Sequence, residues 1–541
     1  MRFLRLLLAE AGSDRVRIVV TTIVAGIAMG SVMAVINTVT DYQKQVAAQI
    51  TLLGVFIFSC SLFLLSKSYA LSTTSRVVEA LLDRTRVRFA DKIRRARLTD
   101  FEGLADSLRV SLPRDMQTLS EAGTIIVHGA SSAVMLLCSA LYVASLSLSA
   151  FLITALLFGS AVYFYKRSQV LSGDILRRAA QADVEFYGAF GHLLGGFKEV
   201  KLSTARGQDL HENYLVRRSA ASHRYRVDSA RRFNAGANVT NIFFYILIGT
   251  LVFGLPDNLE TSQIAAKVIN VIIFVGSAIE IVLRALPMLA KANLAVESLD
   301  RLERRLDEAD ERADLAAAAR GPALRDRIAC RMLSYSYFDP DGKEMFRIGP
   351  VDFEVRAGEI LFIVGGNGSG KSTLIRLLAR LYEPRTGAMF WDGAPVDQDN
   401  LAEYRNLFSA IFSDFHLFDR LYGLDGVDGE EVAALLERME LSHKTGYAQG
   451  RFSRLDLSTG QRKRLALVTT LLEDKAVWIF DEWAADQDPT FRRVFYEELL
   501  PEWRARGKTL VVVTHDDRYF HVADRVLVME EGRMAAAGAS A

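Results

Sequence analysis

Apolar positions fall along this chain in two regimes. The first 290 residues or so hold long apolar runs separated by charged stretches. Six runs stand out, at Val16–Ile36, Ile50–Tyr69, Thr124–Val143, Ser147–Tyr165, Asn241–Gly254 and Ile264–Leu286. Most approach the roughly 20 apolar residues that a spanning helix needs. The fifth is short in its strictly apolar part and draws on Val239 and its flanks. Six such runs in one half of the chain predict an all-α six-helix transmembrane domain rather than buried soluble helices. After Gly321 the pattern changes to short strands, turns and helices, as in a soluble α/β domain. The expected organisation is therefore multidomain, with residues 1–320 in the membrane domain and 321–541 in the soluble one. Ala316–Arg320 and Gly321-Pro322 mark the boundary.

Lys and Arg set the orientation. Leu71–Gly123 and Lys166–Phe233 are crowded with them, whereas Asn37–Ala48 has only Lys44, and Ser145–Leu146 and Leu255–Ser262 have none. The positive-inside rule places the two basic stretches in the cytoplasm. Both carry helical periodicity, as in Val77–Leu82 and Ile175–Ala180, so helices two to five should continue into the cytoplasm. The hairpin turns then fall near Leu98–Ala105 and Leu193–Lys201, where each could rest on the soluble domain and transmit motion. Lys291–Leu315, with Leu294, Leu299, Leu302 and Leu306 at helical spacing, extends the sixth helix. Met1–Leu8 reads as an amphipathic helix at the membrane surface. Inside the spans, His128, Asn270, Glu280 and Arg284 are the polar groups that stand out. Glu280 and Arg284 are four apart, so they share a helix face and can pair, as a structural or a functional pair.

Composition narrows the function. Of the 541 residues 50% are hydrophobic, and the net charge of +1 gives no ground for a nucleic-acid partner. The three cysteines, Cys60, Cys138 and Cys330, lack metal or disulfide spacing, which fits a reduced cytosolic compartment.

The chemistry lies in the second half. Ile360–Val364 reads as a buried strand, Leu374–Ala379 as a helix, and between them runs Gly365-Gly-Asn-Gly-Ser-Gly-Lys371-Ser372-Thr373. A Gly-rich loop in that setting wraps its N–H groups around phosphates. Gly365, Asn367, Gly368, Ser369, Gly370 and Thr373 would line the nucleotide, Lys371 would reach the β- and γ-phosphates, and Ser372 would ligate Mg²⁺. About 110 residues later, Ala476–Phe480 delivers Asp481-Glu482. Asp481 would hold Mg²⁺, directly or through water, and Glu482 would polarise the attacking water. The strand Thr509–Thr514 ends in His515, which would touch the γ-phosphate. Leu457-Ser458-Thr459-Gly460-Gln461 precedes the helix Arg462–Leu472 and forms a second anion-binding turn. One chain cannot easily bring both turns onto one phosphate, but two chains facing head to tail can.

In this order the motifs resemble the nucleotide-binding domain of an ATP-binding-cassette (ABC) transporter over residues 328–535, and the spans resemble the exporter-type six-helix domain. The resemblance implies a half-transporter, an ATP hydrolase coupled to transport, working as a homodimer with ATP and Mg²⁺ at two composite sites. It implies that Tyr337 stacks on adenine, with Tyr335 the less favoured choice. It also implies that Ser458, Gly460 and Gln461 face the partner's ATP, that Asp488 belongs to a loop crossing the dimer interface, and that His515 is the switch histidine. Ser413 stands where most members have a Mg²⁺-contacting glutamine, with Asp414, His416 or a water left to compensate. Thr459 replaces a common glycine, and Trp483 follows Glu482 where proline is usual. Ser413–Phe418, Leu457–Leu467 and Asp481–Pro489 resemble a narrower group, the bacterial cyclic-peptide exporters, which includes transporters of siderophore precursors and lipopeptides. The expected function is export of such a peptide-like product across the bacterial inner membrane. Transport of drugs, lipid or siderophore, even inward, and a membrane-anchored regulatory ATPase remain as alternatives.

Overall fold

A computed structural model describes residues 2–39, 41, 45–253, 259–311, 322–339, 341–424 and 426–535. The chain divides into two compact units, one formed by Met1–Val87 with Val110–Asp300, the other by Arg88–Arg109 with Arg301–Ala541. The segment Ala316–Arg320 with Gly321, expected as the boundary, lies outside the described residues, as do Gly254 and Leu315.

The helical elements are α1 (Arg2–Glu10), α2 (Asp14–Val39), α3 (Val46–Arg95), α4 (Leu98–Glu102), α5 (Ala105–Leu146), α6 (Leu148–Gly195), α7 (Phe197–Leu202), α8 (Thr204–Asp209), a π-helical turn Leu210–Val216, α9 (Arg217–Phe253) and α10 (Leu259–Glu308). All six predicted spans fall on the long helices α2, α3, α5, α6, α9 and α10. Asp14–Val39, and stretches within α3, α5 and α10, are long and apolar enough to cross a membrane, while Leu148–Phe164 of α6 is a shorter apolar stretch. At 50 residues, α3 and α10 far exceed what a bilayer requires. Ile50, Leu53, Phe58, Leu64 and Leu65 of α3 are exposed, a face that water would not tolerate and lipid tails would. Small residues let the helices close up: a Cβ on Gly26 would come within 2.5 Å of Val134, and one on Gly129 within 2.5 Å of Ala285. The amphipathic N-terminus is helical, and one side of it packs on protein. Phe3 and Leu7 of α1 are buried, and the Phe3 amide donates to Asn293 Oδ1 at 3.0 Å. Its apolar face is used for packing on protein, which leaves only Leu6 and Leu8 of its large apolar side chains exposed.

Both expected hairpin turns carry short helices, α4 and α7. The α4 hairpin belongs to the second unit, where the Arg97 amide donates to Ala309 O and the Glu311 amide to Arg95 O.

The soluble domain has two main sheets. One is antiparallel, β2-β1-β4-β5, built from β1 (Arg327–Phe338), β2 (Glu344–Arg356), β4 (Thr386–Trp391) and β5 (Ala394–Pro395). The other has the order β12-β11-β3-β10-β9-β6. Its strands are β3 (Ile360–Gly365), β6 (Phe408–Ile411), β9 (Val477–Asp481), β10 (Thr509–Val513), β11 (Arg525–Glu530) and β12 (Arg533–Met534). All its pairings are parallel except β11 with β12. Strands β7 (Tyr447–Ala448) and β8 (Arg451–Phe452) pair as a separate hairpin, and α12 (Leu401–Arg405) and α13 (Gly429–Arg438) are short helices between strands. Strands β3, β9 and β10 are apolar apart from the terminal Gly365, Asp481 and Thr509, because both faces are covered. One face packs on the antiparallel sheet and α11 (Lys371–Leu378), the other on a cluster around Trp483, Phe495 and Trp503.

Candidate nucleotide site

Strands β3, β10 and β9 are parallel neighbours, so their carboxyl ends open on one sheet edge. The Gly-rich loop follows β3, His515 follows β10, and Asp481-Glu482 ends β9. Their convergence follows from topology alone.

The loop needs its first glycine. Gly365 has φ +147°, and a Cβ there would lie 2.1 Å from Met529 O. The chain then turns into α11, whose first residue, Lys371, is 5% exposed. The Lys371 ammonium donates to Gly365 O at 3.1 Å and Gly366 O at 2.9 Å, which holds it over the loop. Burial lowers its pKa, and the nearby Glu482 and Asp481 carboxylates work against that shift. Among the described residues, the buried Ser369 Oγ of the loop has no hydrogen-bond partner. A buried, unsatisfied hydroxyl in a ring of backbone amides suits a phosphate oxygen.

Asp481 is buried at the end of β9. Ser372 Oγ donates to its Oδ1 at 3.3 Å, and the Ser413 amide approaches its Oδ2 at 3.5 Å. Burial pushes its carboxyl pKa up, and these two serines oppose the shift. A hydroxyl and a carboxylate side by side form a hard-oxygen pair of the kind Mg²⁺ takes. Ser413 therefore reaches the site through its amide and, beside it, its side chain. The residues considered as substitutes for glutamine point elsewhere: Asp414 pairs with Arg376 at 3.0 Å, and the His416 ring packs edge-on to Phe418.

Glu482 takes a left-handed backbone, φ +51°, with its amide donating to Val513 O at 3.1 Å. His515 Nε2 lies 2.9 Å from Glu482 Oε1. The histidine and the carboxylate thus form one unit in front of Lys371. Tyr337 Oη is 3.0 Å from Thr373 Oγ1, so this ring stands beside the loop helix. Tyr335 instead stacks on Tyr382 and lines a small cavity with Arg97, Thr99 and Asp100 of the α4 hairpin.

The Ser458 turn is organised separately. Ser458 caps α14 (Thr459–Glu473) in a reciprocal capping box with Gln461, and among the described residues its hydroxyl bonds only to the Gln461 amide. A Cβ on Gly460 would sit 2.5 Å from Asp486 O, so backbone contact alone demands glycine there, while Thr459 is exposed. Asp488 caps α15 (Pro489–Val494) and pairs with Arg464 at 2.6 Å.

Two features escaped sequence reasoning. Tyr382 Oη donates to Glu102 of α4 at 3.2 Å and accepts from Arg376 at 3.1 Å, which links the hairpin to the Asp414 neighbourhood. Lys463 is buried at 3% exposure, its ammonium bonded to Glu482 O. No local signal marked the second, because Lys463 sits within the basic run Arg462–Arg464, which reads as a solvated helix start although Lys463 and Arg464 are both buried.

A family model described as "ABC transporter" matches residues 348–485. The chain is 34% identical over 439 residues to "ATP-binding protein SyrD" of Pseudomonas syringae pv. syringae, covering 79% of this chain and 76% of that protein. It is 30% identical over 245 residues to an "ATP-dependent lipid A-core flippase" of Chromobacterium violaceum, covering 43% of this chain and 41% of that one. Among solved structures, a bacterial Atm1-family ABC exporter with ATP bound superposes with a TM-score of 0.73 at 18% identity, over 96% of this chain and 94% of that one. That likeness shows the exporter fold end to end. With an ATP-binding domain fused to membrane-spanning helices, and with identity to SyrD running through most of both proteins, the chain belongs to the ABC transporter family, whose ATPase drives transport.

Proposed function

We propose that the chain is one half of a homodimeric exporter in the bacterial inner membrane, carrying a cyclic peptide, lipopeptide or siderophore-like product outward. The observation that carries the reading is a site built in two separate parts. Lys371, Ser372, Asp481, Glu482 and His515 converge on one sheet edge, whereas among the described residues the exposed Ser458 hydroxyl is engaged only within its own capping box. A second copy placed head to tail supplies the missing turn to each nucleotide.

In this reading the loop amides and Ser369 hold phosphate, Lys371 contacts the β- and γ-phosphates, and the Tyr337 ring supports adenine. Ser372 and Asp481 hold Mg²⁺, with Ser413 N–H steadying the carboxylate. Bound Mg²⁺ would neutralise charge on the phosphate oxygens. Glu482 takes the proton of the attacking water, and His515 fixes the orientation of that carboxylate. Ser458, Gly460 and Gln461 close on the partner's γ-phosphate, and Asp488 lies on the loop that crosses the interface. Residues 1–320 carry cargo, and 321–541 carry the ATPase.

The cargo class is supported from the helical unit. A cavity of about 640 Å³ is lined by Leu136, Phe151, Phe158, Phe244 and Ile279, with Glu280 at its edge. That volume and lining suit an acyl chain or aromatic group with a polar part beside it. Glu280 and Arg284 do pair, at 2.5 Å. Inverted membrane vesicles test the direction. ATP-dependent accumulation of a lipopeptide or siderophore precursor inside them is expected. Accumulation only in right-side-out vesicles would mean import, and cargo-stimulated hydrolysis with no accumulation in either would mean regulation.

A further inference from the structure

The signature helix α14 and the Glu482 segment are joined inside the chain by contacts that nucleotide chemistry does not require. Lys463, in the second turn of α14, is 3% exposed. Its ammonium donates to Glu482 O at 2.7 Å and pairs with Asp486 Oδ2 at 2.7 Å. In return, the indole N–H of Trp483 donates to Lys463 O at 2.9 Å. The Trp483 ring is fully buried and stacks on Phe495 with centroids 4.5 Å apart. Two further contacts tie the same pieces: Gln487 Nε2 donates to Gly460 O at 3.0 Å, and Arg464 Nε donates to Gln487 Oε1 at 2.8 Å.

The tie falls on a strained residue. Glu482 is a non-glycine in the left-handed region, a conformation that surrounding structure must hold in place. Its amide is held by Val513 O and its carbonyl by Lys463. A buried ammonium held by a carboxylate and a carbonyl is a firm anchor, because leaving that ammonium unpaired is costly. Trp483, in place of the usual proline, supplies the return bond that a proline could not make.

We propose that Lys463 is a positioning residue that fixes the Glu482 peptide to the signature helix. This rests on the two-copy reading above, in which the Ser458 turn serves one nucleotide and Glu482 of the same chain serves the other. Lys463 then joins the two ATP sites mechanically: when a partner's nucleotide draws the Ser458 turn inward, the base of this chain's own site moves with it. The two sites fire in concert, and Trp483 and Gln487 keep the block rigid.

Full-length Lys463→Met, reconstituted in lipid, tests this against Lys463→Arg and Trp483→Phe. For Lys463→Met the expected result is a fall in kcat of about 10- to 100-fold, as for a base displaced by about an ångström, with KM for ATP within about twofold. Cooperativity in ATP should be lost, and Lys463→Arg should restore part of both. Trp483→Phe, which removes the N–H together with the five-membered part of the buried indole, should lower kcat in the same direction by less, with KM for ATP again within about twofold. It decides the question if Lys463→Met fails to fold. Unchanged kcat and cooperativity in the folded variants would overturn the proposal. So would a loss of melting temperature with kinetics intact. Glu482→Gln, measured alongside, separates the two readings: full turnover in that variant would remove the base assignment itself, whatever Lys463 does.

Discussion

At the scale of single residues, the site is a set of opposed electrostatic demands. Burial raises the Asp481 pKa, so its carboxyl holds a proton to a higher pH than the ordinary aspartate value of 3.8. The form that binds a cation is the ionised one. As pH falls, Mg²⁺-dependent ATP binding should therefore fade earlier than for an exposed aspartate, and Asp481→Asn should remove Mg²⁺ dependence at every pH. Titration of ATP affinity against pH with and without Mg²⁺ measures both. Glu482→Gln keeps the side chain's shape and removes its basicity. ATP affinity should hold while hydrolysis falls by about 10²-fold or more, read as single-turnover rates. Gly460→Ala pushes a methyl to within 2.5 Å of Asp486 O. It should cost about 1–3 kcal/mol in unfolding free energy and lower turnover together, because in the proposed dimer the same turn meets the partner's nucleotide.

At the scale of elements, a hydrogen-bonded chain through Arg376 joins the α4 hairpin to the nucleotide edge. Its guanidinium donates to Tyr382 Oη at 3.1 Å and to Asp414 at 3.0 Å, while Tyr382 reaches Glu102 of α4. Asp414 is next to Ser413, whose amide faces Asp481. Tyr382→Phe should leave basal hydrolysis within about twofold and weaken its stimulation by cargo, because it removes only one hydroxyl of the chain, worth about 1 kcal/mol. Equal stimulation in variant and parent would show that the hairpin acts by another route. The elements themselves were largely legible. A Gly-rich loop between an apolar run and a helix, an acidic pair at a strand end and a Gly-containing turn at a helix start each declare themselves over fewer than ten residues. The lengths of α3 and α10 and the turns at α4 and α7 followed from periodicity and charge. The Arg376–Tyr382–Glu102 chain did not, because its partners are separated by 280 residues and carry no periodic signal. Nor did the function of Trp483, which stood out only as a departure until its indole N–H was seen on Lys463 O. The burial of Phe3 in α1 has the same origin: amphipathicity tells that a face must be covered, not by what.

At the scale of the whole molecule, the proposed homodimer gives each nucleotide the Lys371 loop of one copy and the Ser458 turn of the other. Everything proposed about transport depends on two copies supplying the rest, since the energy of closing on ATP is what biases the helices between states. Co-expression of a Lys371→Ala copy with a Ser458→Arg copy, each carrying a different affinity tag, tests this directly. Each variant alone should retain no labelled ATP, having the same defect at both composite sites. In the mixed pair, purified through both tags, one site collects both defects and the other is intact. The account predicts one retained ATP per mixed pair. Mixed pairs that retain none, or a lone Ser458→Arg chain that retains ATP as well as the parent, would contradict it.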